Sequence, residues 1–295
     1  MAGYVSEPQR IVLFGAQGQL GSRLLQALTF AGYEVTGIDR SRCDFSHASV
    51  RDIAVILRAV EPQLIINAAA YTAVDMAERE VAQAMRINAE IPAILAEIAQ
   101  EQSIPFMHFS TDYVFDGKQT TPYVEDAATH PLNVYGQSKR AGELAVRAHG
   151  GYVFRLQWVY AGGGQNFFTR MAALLRTRDA LRVVADQIGA PSHAAHIAQA
   201  LVQAVPLMLV GDMAPSIYHL CADGCTSWHG FACAIAKAIG SKAQLQPITS
   251  AEYPLPALRP KEVRLGTSAL AAHGIFMPHW REGIALAAKE AHADS

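Results

Sequence analysis

Short runs of aliphatic and β-branched residues alternate with longer segments of helical periodicity along the first half of the chain. In the longer segments, apolar residues recur every three or four positions and Pro or Gly marks the ends, as is typical of amphipathic helices. The predicted strands are 10–14, 33–38, 64–67, 105–109 and 152–156, and the predicted helices are 19–31, 49–60, 75–102 and 137–149. This alternation predicts an α/β fold in which a doubly wound parallel sheet carries helices on both faces.

The pattern becomes less regular after about residue 162, where a run of glycines (162–164) is followed by segments without a clear alternation. Further on, Pro254, Pro256 and Pro260 exclude a regular helix, because proline lacks the amide donor and crowds the preceding turn. We interpret this proline-rich stretch as an ordered loop that carries Arg259. The change in pattern predicts a boundary between two parts of the chain near residue 160.

Composition places the chain among globular proteins and excludes several partners. Of the 295 residues, 51% are hydrophobic and 17% are charged, and the net charge of -2 provides no global positive field for a nucleic acid. The 4 cysteines form no Cys-x-x-Cys pair and are too few to cross-link the chain. The N-terminal segment is polar, and no apolar run reaches the ~18 residues of a membrane helix. We therefore expect a cytoplasmic protein with neither a nucleic-acid nor a membrane partner.

A glycine-rich turn joins the first predicted strand to the first predicted helix. Gly15, Gly18 and Gly21 permit a tight backbone there, and the helix N-terminus attracts a pyrophosphate, although similar triplets occur in ordinary strand-to-helix turns. Asp39 ends the second strand about 20 residues later, where a carboxylate can bind the adenosine ribose of NAD. Arg40 follows and could pair with the 2′-phosphate of NADP, so NADH and NADPH both remain open.

The glycine turn and the change in pattern together predict two regions of the chain with different roles. We predict a Rossmann-type dinucleotide-binding domain over residues 1–160. We predict that residues 161–295 form mainly a substrate-binding region, from which some segments return to the Rossmann sheet.

Tyr135 and Lys139 lie one helical turn apart on one face of a predicted helix. A nearby ammonium stabilises a phenolate, so Lys139 is expected to lower the pKa of the phenol from its usual value near ~10. Such a pair also arises by chance in helices. Thr111, in the segment Ser-Thr-Asp at 110–112, ends the preceding strand and could bring a hydroxyl beside the phenol. The three residues together predict a group that donates a proton to substrate.

Three longer blocks of sequence carry a specific resemblance. They are Asn-Ala-Ala-Ala-Tyr-Thr-Ala-Val-Asp at 67–75, Ser-Thr-Asp-Tyr-Val-Phe-Asp-Gly at 110–117 and Pro-Leu-Asn-Val-Tyr-Gly at 131–136. With these blocks, and with shorter matches from the first strand almost to the C-terminus, the chain resembles the extended short-chain dehydrogenase/reductase family. Within that family it is similar to the reductases of dTDP-linked 4-keto-6-deoxy sugars.

The resemblance implies an NAD(P)H-dependent oxidoreductase that reduces a C4 keto group on a dTDP-sugar to give dTDP-L-rhamnose. It implies that Tyr135 donates the proton, that Lys139 holds the nicotinamide ribose, and that Thr111 orients or tunes the phenol. Besides the glycines, Asp39 and Arg40, the cofactor contacts that it implies are Gln19, Leu20, Asp44, Phe45, Ala68, Ala69, Ala70, Tyr135 and Lys139. The sugar-nucleotide contacts that it implies are Thr111, Asp112 and Trp158.

Other functions remain compatible with the same residues. The alternatives are another nucleotide-sugar reductase or epimerase of this fold, and a non-catalytic regulatory subunit that binds NADP. Ser192, His193 and Val263 depart from the family pattern in the presumed substrate half, so the exact sugar nucleotide stays open. The resemblance also allows a homodimer with Mg²⁺ at the subunit contact.

One group of potential metal ligands occurs in the second half. It consists of His219, Cys221, Cys225, His229 and Cys233. Structural zinc sites have tighter Cys-x-x-Cys or His-x-x-x-His pairs than this spacing provides. We therefore expect no metal site here.

Overall fold

A parallel six-stranded sheet forms the centre of the protein in the computed structural model, which describes residues 8–293. The strands are β1 (Arg10–Phe14), β2 (Glu34–Ile38), β3 (Leu64–Asn67), β4 (Phe106–Thr111), β5 (Tyr152–Leu156), β6 (Val159–Tyr160), β7 (Ala180–Val184), β8 (Ile188–Gly189), β9 (Ser192–His193), β10 (Ile217–His219), β11 (Thr226–Ser227) and β12 (Gln244–Ile248). The order in the central sheet is β10-β5-β4-β3-β1-β2, and every pairing within it is parallel.

Helices cover both faces of this sheet. They are α1 (Gln19–Phe30), α2 (Val50–Val60), α3 (Val74–Ala77), α4 (Val81–Met85), α5 (Ile91–Glu101), α6 (Val134–Ala148), α7 (Phe167–Thr177), α8 (Ala194–Val210), α9 (Trp228–Ala238), α10 (Ser268–Ala271) and α11 (Trp280–Ala293). One core cluster packs α1 and α8 against the sheet, and a second packs α2 and α5 against the sheet. The predicted α/β doubly wound architecture is therefore confirmed.

The predicted long helix 75–102 is wrong, because the chain breaks it into shorter pieces. α3 and α4 are separate, and a π-helix (Arg86–Glu90) lies between α4 and α5. Pro92 stands in the first turn of α5 and has no N–H to donate to the residue four positions earlier, Asn88. The wider π turn accommodates this missing bond. Gly142 in α6 then approaches the Asn88 carbonyl so closely that a Cβ atom at Gly142 would collide with it.

The helix predicted at 137–149 begins three residues earlier than expected, at Val134. Asn133 caps it, since the Asn133 side chain accepts a hydrogen bond from the Gly136 N–H at 2.7 Å. Glu78 accepts the N–H of Val134 at 2.8 Å and satisfies another free donor at the same helix end. Tyr135 therefore lies in the first turn of α6, and Lys139 lies one turn further on.

The second half of the chain adds a smaller core and short strand pairs. β7 pairs with β12, β6 with β9, and β8 with β11. Phe168, Phe231 and Trp280 lie in the centre of this core. β10 leaves this region and extends the central sheet beside β5. The proposed division at residue 160 stays a prediction.

A buried ion pair ties α6 to β5 beneath the functional end of the sheet. The Arg155 guanidinium donates to both carboxylate oxygens of Glu143, at 2.8 and 2.9 Å. Arg155 also donates to the Glu125 carbonyl and lies 3.2 Å from His219 Nε2. Both members of the pair are almost fully buried. Within the described part of the chain, no helix has the length and hydropathy needed to cross a membrane.

Candidate active site

A cavity of about 720 Å³ opens at the carboxyl ends of the central strands. This is where doubly wound sheets bind their ligands. The predicted residues that line it are Gly15, Gly18, Gln19, Leu20, Asp39, Arg40, Asp44, Phe45, Ala68, Ala69, Ala70, Thr111, Asp112, Tyr135, Lys139 and Trp158. Gly21 lies behind this lining and packs against the backbone of Gly15.

The glycine turn has the geometry that a pyrophosphate requires. Gly15 has a φ of 77°, and a Cβ atom there would lie 2.5 Å from the Ala69 nitrogen, so only glycine fits. Gly18 is the N-cap residue of α1, and the first helical residues Gln19 and Leu20 line the cavity, so the N-terminus of the helix lies at the cavity. A Cβ atom at Gly21 would collide with the Gly15 carbonyl. Gly21 therefore permits the turn without contacting a ligand.

Acidic and basic side chains share the far end of the cavity. Asp39 accepts hydrogen bonds from the Gln17 amide and the Ser41 hydroxyl, both at 2.6 Å, and the Ser41 bond is the main reason that its pKa is lowered. Arg40 donates to Asp44 at 3.0 Å. The backbone N–H of Ser46 lowers the pKa of Asp44 to about 2. A carboxylate for ribose hydroxyls and a guanidinium for a 2′-phosphate are thus both present, and the geometry accommodates either cofactor.

Tyr135 stands at the cavity wall, half-buried, with its ring edge-on to Tyr113 at a centroid distance of 5.5 Å. Burial raises the pKa of Tyr135 to about 12, and the negative charge of Asp112 acts in the same direction. The Thr111 hydroxyl is close enough to the phenol to lower its pKa against these two effects. The role of Thr111 in orienting the phenol stays a prediction.

The prediction that Lys139 lowers the pKa of the Tyr135 phenol is wrong for the protein without a bound ligand. The Lys139 side chain is buried, and its Nζ atom donates to the Phe109 carbonyl at 2.5 Å. Its other contact is His108 Nε2, at 3.3 Å. Desolvation lowers the pKa of Lys139 to about 8, against the opposing charge of Glu143. A sequence cannot indicate that the ammonium points to main chain and imidazole, because that depends on the neighbouring strand.

Asp112 is buried beside Thr111 and is held by a residue that the sequence did not single out. The Thr111 hydroxyl donates to Asp112 Oδ1 at 3.1 Å, and the Gln157 amide donates to Oδ2 at 2.8 Å. Gln157 also donates to the Val263 carbonyl and accepts the Ala190 N–H, both at 2.8 Å. Desolvation raises the pKa of Asp112 to about 6, while the bonds from Gln157 and Thr111 act to lower it.

We expect Asp112→Asn to change how stability depends on pH. The native pKa of about 6 exceeds the unfolded value near ~3.9, so native protein loses stability as pH rises between these values. Asparagine does not titrate, so the free energy of unfolding of Asp112→Asn should rise relative to that of wild type by roughly 2 kcal/mol between pH 4 and pH 6. Urea unfolding at several pH values measures this difference.

Asp44→Asn provides a control of opposite sign. The pKa of Asp44 is lowered to about 2, so wild type should lose stability relative to this variant as pH falls below about 4. A pH-independent difference between Asp112→Asn and wild type would contradict the buried, proton-binding state of Asp112.

An aromatic stack forms the opposite wall of the cavity. Trp158 and Trp228 lie face to face, with centroids 3.6 Å apart and planes 8° apart, and Phe167 packs on Trp228. Trp158 holds an unusual left-handed backbone with a φ of 44°. The Trp228 indole N–H donates to Gln187 at 3.1 Å, which fixes the second ring. The stack offers a flat apolar surface to a nucleotide base.

Gly189 allows this stack to exist, and we expect Gly189→Ala to impair it. A Cβ atom at Gly189 would lie 2.6 Å from Trp158 Cε2, so the indole must move. We expect KM for the sugar nucleotide to rise about tenfold, equivalent to about 1.4 kcal/mol, while the dissociation constant of the nicotinamide cofactor stays unchanged. Steady-state kinetics and a cofactor titration measure the two effects. Equal weakening of both ligands would contradict a local role of Gly189.

Comparison with known proteins identifies the family. Residues 9–293 match the family described as RmlD substrate binding domain. The chain belongs to this family. It is 39% identical over 296 residues to a dTDP-4-dehydrorhamnose reductase of Burkholderia thailandensis, covering 95% of this chain and 98% of that one. It is 38% identical to the dTDP-4-dehydrorhamnose reductase of Escherichia coli K12, with 93% and 95% of the chains covered.

Solved structures agree with this membership of the RmlD family. The crystal structure of dTDP-4-dehydrorhamnose reductase from Bacillus anthracis in complex with NADP matches with a TM-score of 0.88 and 31% identity, covering 98% of this chain and 100% of that one. The structure of the Clostridium acetobutylicum reductase also has a TM-score of 0.88, with 32% identity, and covers 94% of this chain and 97% of that one.

The three departures from the RmlD family pattern lie in the protein interior. Ser192 and His193 are buried, and the His193 imidazole caps α8 by accepting the Ala195 N–H at 3.2 Å. Val263 is also buried, in the cluster around Phe115. All three positions are nevertheless linked to residues of the site. The Ser192 N–H donates to the Trp158 carbonyl at 3.1 Å, the His193 ring packs edge-on against Tyr160, and the Val263 carbonyl accepts a hydrogen bond from Gln157.

Some residues at the site were not predicted from the sequence, because they belong to no recognisable motif. Trp228 and Phe167 line the cavity, and the signal that could have found them is their aromatic character at helix starts. Arg259, assigned only to a loop, makes a bidentate ion pair with Asp75 at 2.6 and 2.8 Å. This pair anchors the proline-rich segment beside the site.

No group of three or more His, Cys, Asp or Glu side chains among residues 8–293 is arranged to hold a metal ion. His229 and Cys233 share a face of α9, with Sγ 3.7 Å from Nε2, but Cys221 is buried elsewhere. The Mg²⁺ ion that the resemblance allowed stays a prediction, because a subunit contact takes its ligands from two chains.

Proposed function

We propose that this protein is a dTDP-4-dehydrorhamnose reductase, which converts the C4 keto group of dTDP-4-dehydro-L-rhamnose into the hydroxyl of dTDP-L-rhamnose. The observation that carries the proposal is the meeting of Tyr135, Thr111 and Lys139 at the cavity that the glycine turn enters. The named relatives of the RmlD family support the same reaction.

The residues at the glycine turn fit a nicotinamide dinucleotide. The α1 N-terminus offers N–H groups to the pyrophosphate, and Asp39 offers a carboxylate to the ribose. The amide nitrogen of Gln19 is buried at this wall without a hydrogen-bond partner among the described residues, so it is free to bind a ligand. When bound, NADPH or NADH supplies the hydride that reduces the sugar carbon.

The proton comes from Tyr135. Because its pKa is raised to about 12, the phenol is protonated at neutral pH and can donate to the oxygen of the reduced carbonyl. The Thr111 hydroxyl donates to Asp112 at 3.1 Å and lowers the pKa of Tyr135, which supports a role for Thr111 in tuning the phenol. Lys139 lies on the same helix face, within reach of the ribose that would lie beside Tyr135.

The other wall recognises the sugar nucleotide. The stacked Trp158 and Trp228 provide the surface for the thymine base, and Asp112 provides a carboxylate for a sugar hydroxyl. This assignment of roles rests on the positions of these side chains around the cavity. A homodimeric state and a cytoplasmic location belong to the same proposal, supported by the resemblance and the composition, and are tested by sedimentation and cell fractionation.

The experiment is oxidation of NADPH and NADH by purified protein with dTDP-, UDP- and GDP-linked 4-keto sugars. We expect consumption of the reduced nicotinamide with dTDP-4-dehydro-L-rhamnose, and dTDP-L-rhamnose as the product. Sugar inversion without net oxidation would identify an epimerase instead. Cofactor binding without oxidation by any keto sugar would identify a regulatory subunit, and either result would overturn the proposal.

A further inference from the structure

A line of buried polar side chains runs behind the cavity from β3 to α6. Asn67 Nδ2 lies 3.2 Å from His108 Nδ1, and His108 Nε2 lies 3.3 Å from Lys139 Nζ. Asn67 and His108 have no exposed surface, and Lys139 is 2% exposed. Nothing in the proposed reaction uses His108, yet it is the side chain that contacts the Lys139 amine.

The orientation of the Asn67 amide is fixed by the main chain. The Ala69 N–H donates to Asn67 Oδ1 at 3.1 Å, so the oxygen must face Ala69. The amide nitrogen Nδ2, which can only donate, therefore faces His108. A flipped amide would place two donors against each other at Ala69 and leave a buried N–H without an acceptor.

This orientation selects one tautomer of His108. A neutral imidazole carries one N–H, and Nδ1 must accept the hydrogen bond from Asn67. The ring proton then lies on Nε2 and points at Lys139 Nζ. If Lys139 is an ammonium, its N–H groups and the ring N–H are both donors and cannot bond to each other. A neutral Lys139 amine has a lone pair that accepts the ring N–H.

We propose that His108 is a positioning residue whose tautomer, fixed by Asn67, favours the neutral amine of Lys139 over the ammonium. The other groups that face Lys139 do not reverse this preference. The Phe109 carbonyl accepts a hydrogen bond from either form. Glu143, on the same helix, favours the ammonium, but both of its oxygens are bound by Arg155 of β5. Tyr135 is protonated and adds no charge.

Burial acts in the same direction as the imidazole. Desolvation lowers the pKa of Lys139 to about 8, so the lysine changes its charge near neutral pH. If the proposed reduction is correct, kcat/KM is higher while Lys139 is charged, because the ammonium is the stronger hydrogen-bond donor to the nicotinamide ribose that Lys139 is proposed to hold. The alkaline decline of kcat/KM then reports the titration of Lys139 in the free enzyme.

The tautomer can be measured directly and without any substrate. We would record long-range ¹H–¹⁵N spectra of protein labelled with ¹⁵N-histidine and assign His108 as the signal lost in His108→Gln. We expect a neutral ring with its proton on Nε2 at pH 7. A proton on Nδ1, or on both nitrogens, would overturn the proposal.

The effect on Lys139 is measured by its titration in ¹³C-lysine-labelled protein and by the kcat/KM profile. Glutamine at 108 can turn its amide oxygen to the ammonium, so His108→Gln should shift both titrations upward by about one pH unit, the equivalent of one hydrogen bond. His149→Gln is the matched control, since His149 stands at the C-terminal end of the same helix and its ring binds the Ala145 carbonyl there.

The outcomes separate this inference from the proposed reduction. An unchanged Lys139 titration in His108→Gln, or an equal shift in His149→Gln, would contradict the role of His108. If the wild-type protein reduces no keto sugar, the reaction is wrong, while the histidine tautomer and the lysine titration still decide the inference. If His108→Gln does not fold, the wild-type tautomer and the wild-type Lys139 titration decide it.

Discussion

Replacing Tyr135 with phenylalanine is expected to lower kcat by about 10²–10⁴-fold, the usual contribution of a positioned general acid. The variant removes only the hydroxyl, so the ring can keep its edge-on contact with Tyr113. In the proposed reaction Tyr135 supplies the proton and the glycine turn holds the cofactor, so the dissociation constant of NADPH should stay near the wild-type value. Nicotinamide oxidation gives kcat, and a fluorescence titration gives the dissociation constant.

Tyr71→Phe is the control for this measurement. Tyr71 donates its hydroxyl to Glu80 at 2.6 Å on the protein surface, so the same atom is removed outside the proposed proton path. We expect Tyr71→Phe to keep wild-type turnover. If Tyr135→Phe retained half of the wild-type kcat, another group would have to supply the proton, and the assigned role of Tyr135 would be wrong.

The largest effect on stability is expected for Arg155→Met. Methionine leaves the Glu143 carboxylate buried without its bidentate partner, and removal of one member of a buried pair costs about 3–5 kcal/mol. Methionine preserves much of the apolar length of the arginine side chain, so the loss reports mainly the removed bidentate pair, and Arg140, 3.5 Å from Glu143, remains as a weaker partner. Urea unfolding at pH 7 measures the difference in free energy.

Two further variants test the cause. The double variant Arg155→Met/Glu143→Leu removes both charges and should recover much of the loss. Arg182→Met breaks the exposed ion pair with Glu252 and should cost at most about 1 kcal/mol. A double variant as unstable as Arg155→Met would show that lost packing, rather than the unpaired carboxylate, determines the effect.

The central strands could be predicted because burial on both faces requires a nearly continuous run of apolar residues in the sequence. β3, for example, is a run of Leu, Ile, Ile and Asn without an exposed position, as expected for a parallel sheet covered by helices. The ends of helices were harder. The start of α6 depends on Asn133 and on Glu78, and Glu78 comes from a distant part of the chain.

The sequence predicted which residues line the site better than it predicted their hydrogen-bond partners and pKa values. The motifs indicated which residues would gather at the sheet edge, because glycines, Tyr135 and Lys139 have characteristic spacings. The direction in which Lys139 points depends on His108 and on a main-chain carbonyl, which no spacing reveals. The pKa of the phenol likewise depends on burial by elements that meet only in the folded chain.

The amide of Gln157 binds three separate segments at once: Asp112, Ala190 and Val263. All of its hydrogen-bonding atoms are used within the fold, so none of the three segments can shift without breaking a bond to the same side chain. An amino-acid change in the loop around Val263 is therefore expected to shift the Asp112 carboxylate, which the proposed function assigns to the sugar, without contacting the sugar itself. Searches for variants with new sugar preference should include that distant loop together with the cavity wall.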